Sequence, residues 1–256
     1  MGLVCGVGYV DVHCHILPGL DDGAGDAGVS FSMARIAAGT GTEAICATVH
    51  SLGFGERYPR VRNVVPPDVY TDRLRFLRRG LKDLGIPVKI LTGMEIFVDG
   101  SFERDLDRQM YFPLGGTKNL LIEFPFDTEP GAMFEAADTA LRYGYTPVVA
   151  HPERYFCMAN EPEISDGLVY SGCLLQANKG SFFGVFGESA REAAEYMLGR
   201  GLLSAVASDA HSDERRTPSF RKVASYLTEK TGAETTLSLL RDGPARLCGY
   251  AAARED

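Results

Sequence analysis

The feature that most constrains this chain is where its histidines fall. There are five in 256 residues, and every one sits at or just past the end of a short apolar run of β-strand type. Tyr9, Val10, Asp11 and Val12 lead into His13 and His15, and residues 44–49 lead into His50. Residues 147–150 lead into His151, and residues 202–208 lead into Asp209 and His211. Two further runs end in acids: 88–94 in Glu95 and 120–122 in Glu123. Asp21 and Asp22 stand a Pro/Gly turn beyond His15. Random placement would scatter most of these residues over helices and loops. Side chains two apart on a strand share a face, so His13 and His15 converge on one point, as a metal ion requires. A buried pair satisfied by backbone carbonyls is the plainer alternative for those two alone, and the remaining strand ends argue against it.

The apolar runs set the fold. Strands are expected at 9–12, 44–48, 88–91, 120–122, 147–150, 174–177 and 203–207. Helices are expected at 26–38 (stopped by Gly39), 68–84 (stopped by Gly85), 133–142, 188–198, 219–228 and 234–241. In 68–84, Tyr70, Leu74, Leu77, Leu81 and Leu84 recur at three and four residues, while Arg73, Arg75, Arg78 and Arg79 fall mostly on solvated faces. Alternation of strands with helices and short connections predicts parallel strands joined by right-handed crossovers. That leaves an open doubly wound sheet or a closed α/β barrel. In a barrel the C-terminal strand ends open on one mouth. His13, His15, Asp22, His50, Glu95, Glu123, His151, Asp209 and His211 then meet there.

Such a set exceeds what one zinc takes and suits two or three divalent ions. Imidazole and carboxylate without cysteine favour Mn²⁺, Fe²⁺, Zn²⁺ or Co²⁺ over thiolate-selected ions. Paired ions can hold a hydroxide and polarise a phosphoryl oxygen. Arg154, three residues after His151, and Arg216, seven after Asp209, carry guanidinium forks that match a phosphate. Arg215 beside Arg216, and Asp21 beside Asp22, are the competing choices at those positions, with one aspartate capping the turn.

Composition removes several function classes. A net charge of −8 argues against a chain that grips nucleic acid through a basic face. No apolar run reaches the roughly 18 residues of a membrane span. The start, MGLVCGVGYV, lacks a basic n-region and a myristoylation serine or threonine. Six cysteines, Cys5, Cys14, Cys46, Cys157, Cys173 and Cys248, show no C-x-x-C spacing and fit reduced thiols in a cytoplasmic protein. Cys14 should point away from the metals as a buried thiol. The length fits a single domain over 1–256.

The motifs HCH, GLDDG, GMEI, LIEF, AHPERY, ASDAH and LLQANKGSFFG together resemble the PHP-domain metal-dependent protein-tyrosine phosphatases of the bacterial capsule and exopolysaccharide (CpsB/YwqE-like) family. The resemblance covers nearly the whole chain. It implies a distorted TIM-like (β/α)7 barrel, the PHP fold, with a trinuclear, manganese-type centre. It implies that His13, His15, Glu95 and Asp209 hold one ion, that Glu95, Glu123 and His151 hold a second, and that Asp22, His50 and His211 hold a third. Arg154 and Arg216 match the family's phosphate-binding arginines, and His211 or a metal-bound water would assist the leaving group. The implied reaction is in-line attack of a metal-held hydroxide on phosphotyrosine, with the tyrosine-rich tail of a membrane-associated tyrosine autokinase as substrate. One departure is Ser51-Leu52, where the family pattern leads one to expect a second histidine or a basic residue.

Other readings compete. The same fold hosts histidinol-phosphate phosphatases, a small-molecule alternative, and a polymerase-associated nuclease, which the acidic balance disfavours. A binding module without activity would show an incomplete ligand set. Cys248 and Arg254 have the C-x5-R spacing of cysteine-based phosphatases, but only two residues follow Arg254, so the helix such a loop opens has no room.

Overall fold

Among the described residues every strand pairing is parallel, so the strands hand the chain on at the same end of the sheet. The computed structural model describes residues 8–51 and 65–251. In chain order the elements are β1 (Tyr9–Cys14), α1 (Ala27–Ala38), β2 (Thr42–Ala47), α2 (Pro67–Asp83), β3 (Lys89–Thr92), β4 (Glu95–Phe97) and α3 (Phe102–Asp107). There follow β5 (Asn119–Glu123), α4 (Pro130–Arg142), β6 (Thr146–Ala150), α5 (Phe156–Asn160), α6 (Ile164–Tyr170), β7 (Leu174–Asn178), α7 (Glu188–Gly199) and β8 (Leu203–Ala207). The chain closes with α8 (Arg221–Thr231), α9 (Ala233–Leu237), a π-type turn at Ser238–Asp242, and α10 (Gly243–Cys248).

Local chemistry sets the helix boundaries. Asp26 caps α1 by accepting from the Val29 N–H at 3.0 Å. Pro67 opens α2, where a missing N–H costs nothing. The stripe Tyr70, Leu74, Leu77 and Leu81 is buried and Arg73, Arg75, Arg78 and Arg79 are exposed, as the periodicity requires. Leu84 falls outside the stripe, exposed at the C-cap. The expected helix 219–228 lies at Arg221–Thr231, and 234–241 is a short helix running into the π-type turn. Helices α3, α5, α6 and α10 have five to seven residues, too few to show a helical period in sequence.

The strands form the segments β1-β2-β3 and β4-β5-β6-β7-β8. Backbone hydrogen bonds join the two segments at both edges. On one side Asp209 N–H donates to His13 O at 2.8 Å and His15 N–H to Ala210 O at 2.9 Å. On the other, Glu95 N–H donates to Val49 O at 3.0 Å and Ser51 N–H to Glu95 O at 2.8 Å. The result is a ring. Strands β3 and β4 are successive pieces of one stave, so the barrel has seven staves, the (β/α)7 architecture. Sequence reading missed β4 because it is three residues long and begins at a polar residue. Both seams run through residues of the strand-end set.

Three apolar clusters fill the layers. Inside the ring, Val10, Val12, Ala44, Cys46, Leu121, Val148, Ala150, Ala205 and Ala207 pack with Leu114, Leu247 and Cys248. Outside, α1 and α2 cover β1–β3, and helices α3 to α8 cover β4–β8. Helix α10 closes the N-terminal end of the ring. The Leu247 carbonyl accepts from Asn119 Nδ2 at 2.6 Å and Thr117 Oγ1 at 3.0 Å. Gly115 (φ +57) is required there, since a Cβ would lie 1.9 Å from Cys248 O. Among the described residues no helix is long and apolar enough to cross a membrane.

Candidate metal centre

The donor atoms His13 Nε2, His15 Nε2 and Asp209 Oδ1 form one group at the mouth, and Glu95 Oε2 approaches the same two imidazoles. The two imidazole nitrogens are 3.2 Å apart. Glu95 Oε2 stands 3.3 and 3.2 Å from them, and Asp209 Oδ1 3.5 and 3.4 Å. Ligands held roughly 2.1 Å from a common ion stand roughly 3.0–3.4 Å from one another. The tautomers suit this arrangement. His13 Nδ1 donates to Gln176 Oε1 at 2.7 Å, and His15 Nδ1 donates to the Asp21 carboxylate at 2.7 Å. Each Nε2 then turns a lone pair to the centre. Glu95 Oε2 is buried without a hydrogen bond although three imidazoles surround it. A cation satisfies this donor set; hydrogen bonding within it does not.

Glu95 links this point to a second. Its Oε1 lies 2.8 Å from His151 Nε2, and its Oε2 lies 3.0 Å from His50 Nδ1. His50 Nδ1 also meets Glu123 Oε1 at 2.9 Å. A third group forms where Asp22 Oδ1 stands 3.5 Å from His50 Nε2 and 3.4 Å from His211 Nε2. His15 stacks on His211, ring centroids 3.9 Å apart, and belongs to this group as well. Thus all nine strand-end residues converge, in groupings that overlap at His13, His15, His50 and Glu95.

The field at the site is strong. Burial alone would push His13, His15 and His50 down. The carboxylates Glu95 and Asp209 at His13, Asp21 at His15, and Glu95 and Glu123 at His50 outweigh it and hold all three above the usual imidazole range. Burial likewise opposes ionisation of Glu95 and Asp209. His13 with His50, and His13 with His15 and Arg216, overcome it and keep both carboxyls well below the usual range. A field that favours protons this much also favours a divalent ion, and one proton cannot serve several converging donors. Only three non-glycine residues among those described have positive φ, and two are His151 (35°) and Asp209 (46°). Such backbones cost about 1–3 kcal/mol each and concentrate at working sites.

The two arginines arrive at one atom. Arg216 pairs closely with Asp209 Oδ2, and Arg154 Nη1 lies 3.5 Å from the same oxygen. Arg215 is exposed on the loop surface. Of the aspartate pair, Asp22 reaches His50 and His211. Asp21 caps the turn through Gly23 N–H at 2.9 Å and also orients His15. Gly23 is essential to that turn, because a Cβ there would lie 2.3 Å from His15 O.

Sequence reasoning gave no role to Gln176 and Asn178. Both are fully buried on β7. Gln176 Nε2 donates to Asn178 Oδ1 at 3.1 Å, and Asn178 Nδ2 donates to Asp209 Oδ2 at 2.5 Å. With the His13 bond this makes a one-way chain from His13 to Asp209. Two polar residues at i and i+2 in an otherwise apolar strand were the available signal.

Ser51 is a seam residue, buried, its Oγ accepting from Phe97 N–H at 3.0 Å. Leu52 and the rest of the segment 52–64 lie outside the described residues, as do Cys5 and Arg254. Cys14, Cys46, Cys157, Cys173 and Cys248 are free thiols. Cys14 packs into the cluster under α1 and α2.

Clusters able to hold divalent ions, set in the mouth of a seven-staved barrel, place the chain in the broad class of metal-dependent barrel hydrolases. The family is narrower. The model of the capsular polysaccharide synthesis CpsB/CapC family matches residues 9–248, and the chain belongs to that family. It is 36% identical over 227 residues to the tyrosine-protein phosphatase YwqE of Bacillus subtilis, covering 88% of this chain and 86% of that one. It is 27% identical over 244 residues to the tyrosine-protein phosphatase CpsB of Streptococcus pneumoniae, covering 93% and 97%. A crystal structure from the study of YwqE and CpsB, described as unique metal-dependent tyrosine phosphatases, superposes with a TM-score of 0.83 at 33% identity, covering 96% of this chain and 97% of that one.

Proposed function

We propose that this chain is a metal-dependent protein-tyrosine phosphatase, with residues 1–256 acting as one catalytic unit in the cytoplasm. Its substrate is the phosphotyrosine-bearing tail of a membrane-associated tyrosine autokinase. The observation that carries the reading is Asp209. Its Oδ1 faces the Nε2 atoms of His13 and His15, and its Oδ2 carries both guanidinium groups. One carboxylate therefore joins a cation site to an anion-binding pair. A phosphate that draws Arg154 and Arg216 to itself lies beside the ligand cluster.

His13, His15, Glu95 and Asp209 would hold one ion, Glu95 with Glu123 and His151 a second, and Asp22, His50 and His211 a third. Mn²⁺ is the proposed ion, two or three per chain; Fe²⁺, Zn²⁺ and Co²⁺ suit the same donors. Bound ions supply Lewis-acid activation of the phosphoryl group and of the attacking water. Arg154 and Arg216 bind equatorial oxygens and stabilise the charge that redistributes during in-line displacement. His211 Nδ1 donates to Asp209 O at 3.1 Å, so its Nε2 offers a lone pair toward Asp22. That fits a ligand better than a proton donor. The phenolate, whose conjugate acid has a pKa of about 10, leaves without a side-chain acid.

The test is turnover of a phosphotyrosine peptide, histidinol phosphate and single-stranded DNA side by side, with metal content measured. Efficient hydrolysis of the peptide alone, with two or three ions per chain, supports the reading. Preference for histidinol phosphate or DNA overturns it.

A further inference from the structure

Arg154 reaches the clamp with little polar support. Among the described residues its one side-chain hydrogen bond is the 3.5 Å contact to Asp209 Oδ2, long for such a bond. Arg216, by contrast, pairs closely with that oxygen. What fixes Arg154 is aromatic. Its guanidinium carbon lies 4.7 Å from the centroid of the Phe126 ring and 4.1 Å from that of Phe186. The rings come from different loops: Phe126 follows β5, Phe186 follows β7, and Arg154 follows β6 between them. Phe126 is anchored in turn, 6.2 Å from the buried Tyr155 ring and 6.3 Å from His151. A cation packed against ring faces is held without spending its N–H donors, which lie in the guanidinium plane.

We propose that Phe126 and Phe186 are positioning residues for Arg154, holding its guanidinium so that its free N–H edge meets the phosphoryl group of the substrate. The inference rests on the phosphatase reading for its substrate, but not for its geometry. It explains why Arg154 does not collapse onto Asp209 as Arg216 does. It also explains why exposed aromatic surface, with Phe126 at 37%, is kept beside a charged site.

The experiment is a double-mutant cycle in the metal-loaded protein, with metal content and melting temperature checked for each variant. Phe186→Ala and Phe126→Ala should each lower kcat/KM by about three- to thirtyfold, the range of a desolvated cation–π contact. Phe186→Tyr should restore most of the loss, and Phe186→Leu, which keeps volume without a ring, should not. In an Arg154→Ala background, Phe126→Ala should add nothing, and Phe186→Ala should add only what its looser contact with Arg216, whose guanidinium carbon lies 5.8 Å from the ring centroid, carries. Phenyl phosphate and an alkyl phosphate monoester should suffer alike. A loss confined to aryl esters, or a Phe126→Ala loss that persists in full in Arg154→Ala, would mean that the ring touches the substrate and would overturn the proposal. Calorimetric binding of inorganic phosphate gives a readout independent of turnover, and the same coupling between Phe186 and Arg154 is expected there. If that coupling holds while the wild-type protein leaves a phosphotyrosine peptide intact, the phosphatase reading fails and the positioning role stands. If wild-type turnover is normal and the coupling is absent, the positioning role fails alone.

Discussion

The two ends of this barrel are closed by opposite means. At the N-terminal end, Leu114, Leu247 and Cys248 meet the alanines and valines of the inner layer, and α10 is bonded across the opening. At the C-terminal end the seams are closed by backbone bonds through His13, Glu95 and Asp209, and the interior is filled by imidazoles and carboxylates. Apolar closure is complete in itself, because burial is its own driving force. The polar closure keeps an unbonded Glu95 oxygen and two left-handed ligand backbones. One end holds the ring together, and the other retains unmet bonding capacity that an ion and a phosphate can use.

The largest expected effect breaks the mouth alone. His13→Ala or Asp209→Ala should lower kcat/KM on a phosphotyrosine peptide by roughly a thousandfold or more, since under the proposed function each removes a donor that would hold a metal ion. Strong chelation should reproduce the loss in the wild-type protein, and Mn²⁺ should reverse it. Full turnover in a stringently metal-free sample would end the comparison.

A smaller effect is expected one layer back. Gln176→Leu and Asn178→Leu leave all nine strand-end donors in place but cut the chain from His13 to Asp209. Loss of such supporting bonds weakens metal binding by about 10- to 100-fold. Titration against a competing chelator measures this without any turnover. Gln176→Glu keeps an acceptor for His13 and loses the donor to Asn178, so it should fall between. Unchanged affinity in both leucine variants would show that the strand ends orient the ligands unaided.

These two sets differ in how readable they were. An imidazole or carboxylate after an apolar run is conspicuous, so the strand ends, the barrel and the nine residues could be seen from sequence. Gln176 and Asn178 could not be assigned in the same way, because an amide in a strand gives no sign of which partner it will find across the ring. Asp21 stands in the sequence as the alternative to Asp22 or as a turn cap, and its bond to His15 depends on a fold-back that spacing does not show. Strand β4 was hidden by its length, and helices α3, α5, α6 and α10 by theirs. The Phe126–Arg154–Phe186 stack joins three loops, which no local pattern predicts.

The arginines sharpen the contrast within the mouth. Arg154→Ala and Arg216→Ala should each lower kcat/KM by about ten- to a hundredfold, from charge-assisted contacts of about 1.5–3 kcal/mol. Lysine at either position should recover only part, having no bidentate fork. Arg215 is exposed, so Arg215→Ala should change little. Kinetics of the three alanine variants, with metal content matched, decide it. Equal small effects would mean that bound metal ions alone hold the phosphate.

The smallest effects on catalysis belong to the closed end. Leu247 is 4% exposed in the inner layer. Leu247→Ala should cost about 2–4 kcal/mol of stability in denaturant unfolding while leaving metal content and kcat/KM alone. Cys248→Ser should do less still. Its sulfur donates to Pro244 O at 3.2 Å, four residues back in α10, and a serine hydroxyl can make the same bond. A hydrogen bond from Cys46 pulls the Cys248 thiol down, which would suit a nucleophile. Yet the residue is 2% exposed, ends a helix rather than opening one, and packs in the plug opposite the mouth. A thiolate buried in that plug is out of reach of a phosphate held at the mouth. The serine variant should therefore turn over a phosphotyrosine peptide at nearly the wild-type rate, with a melting temperature lowered only slightly. Abolished turnover in a folded, metal-loaded Cys248→Ser protein would move the chemistry to the closed end and reverse the roles of the two.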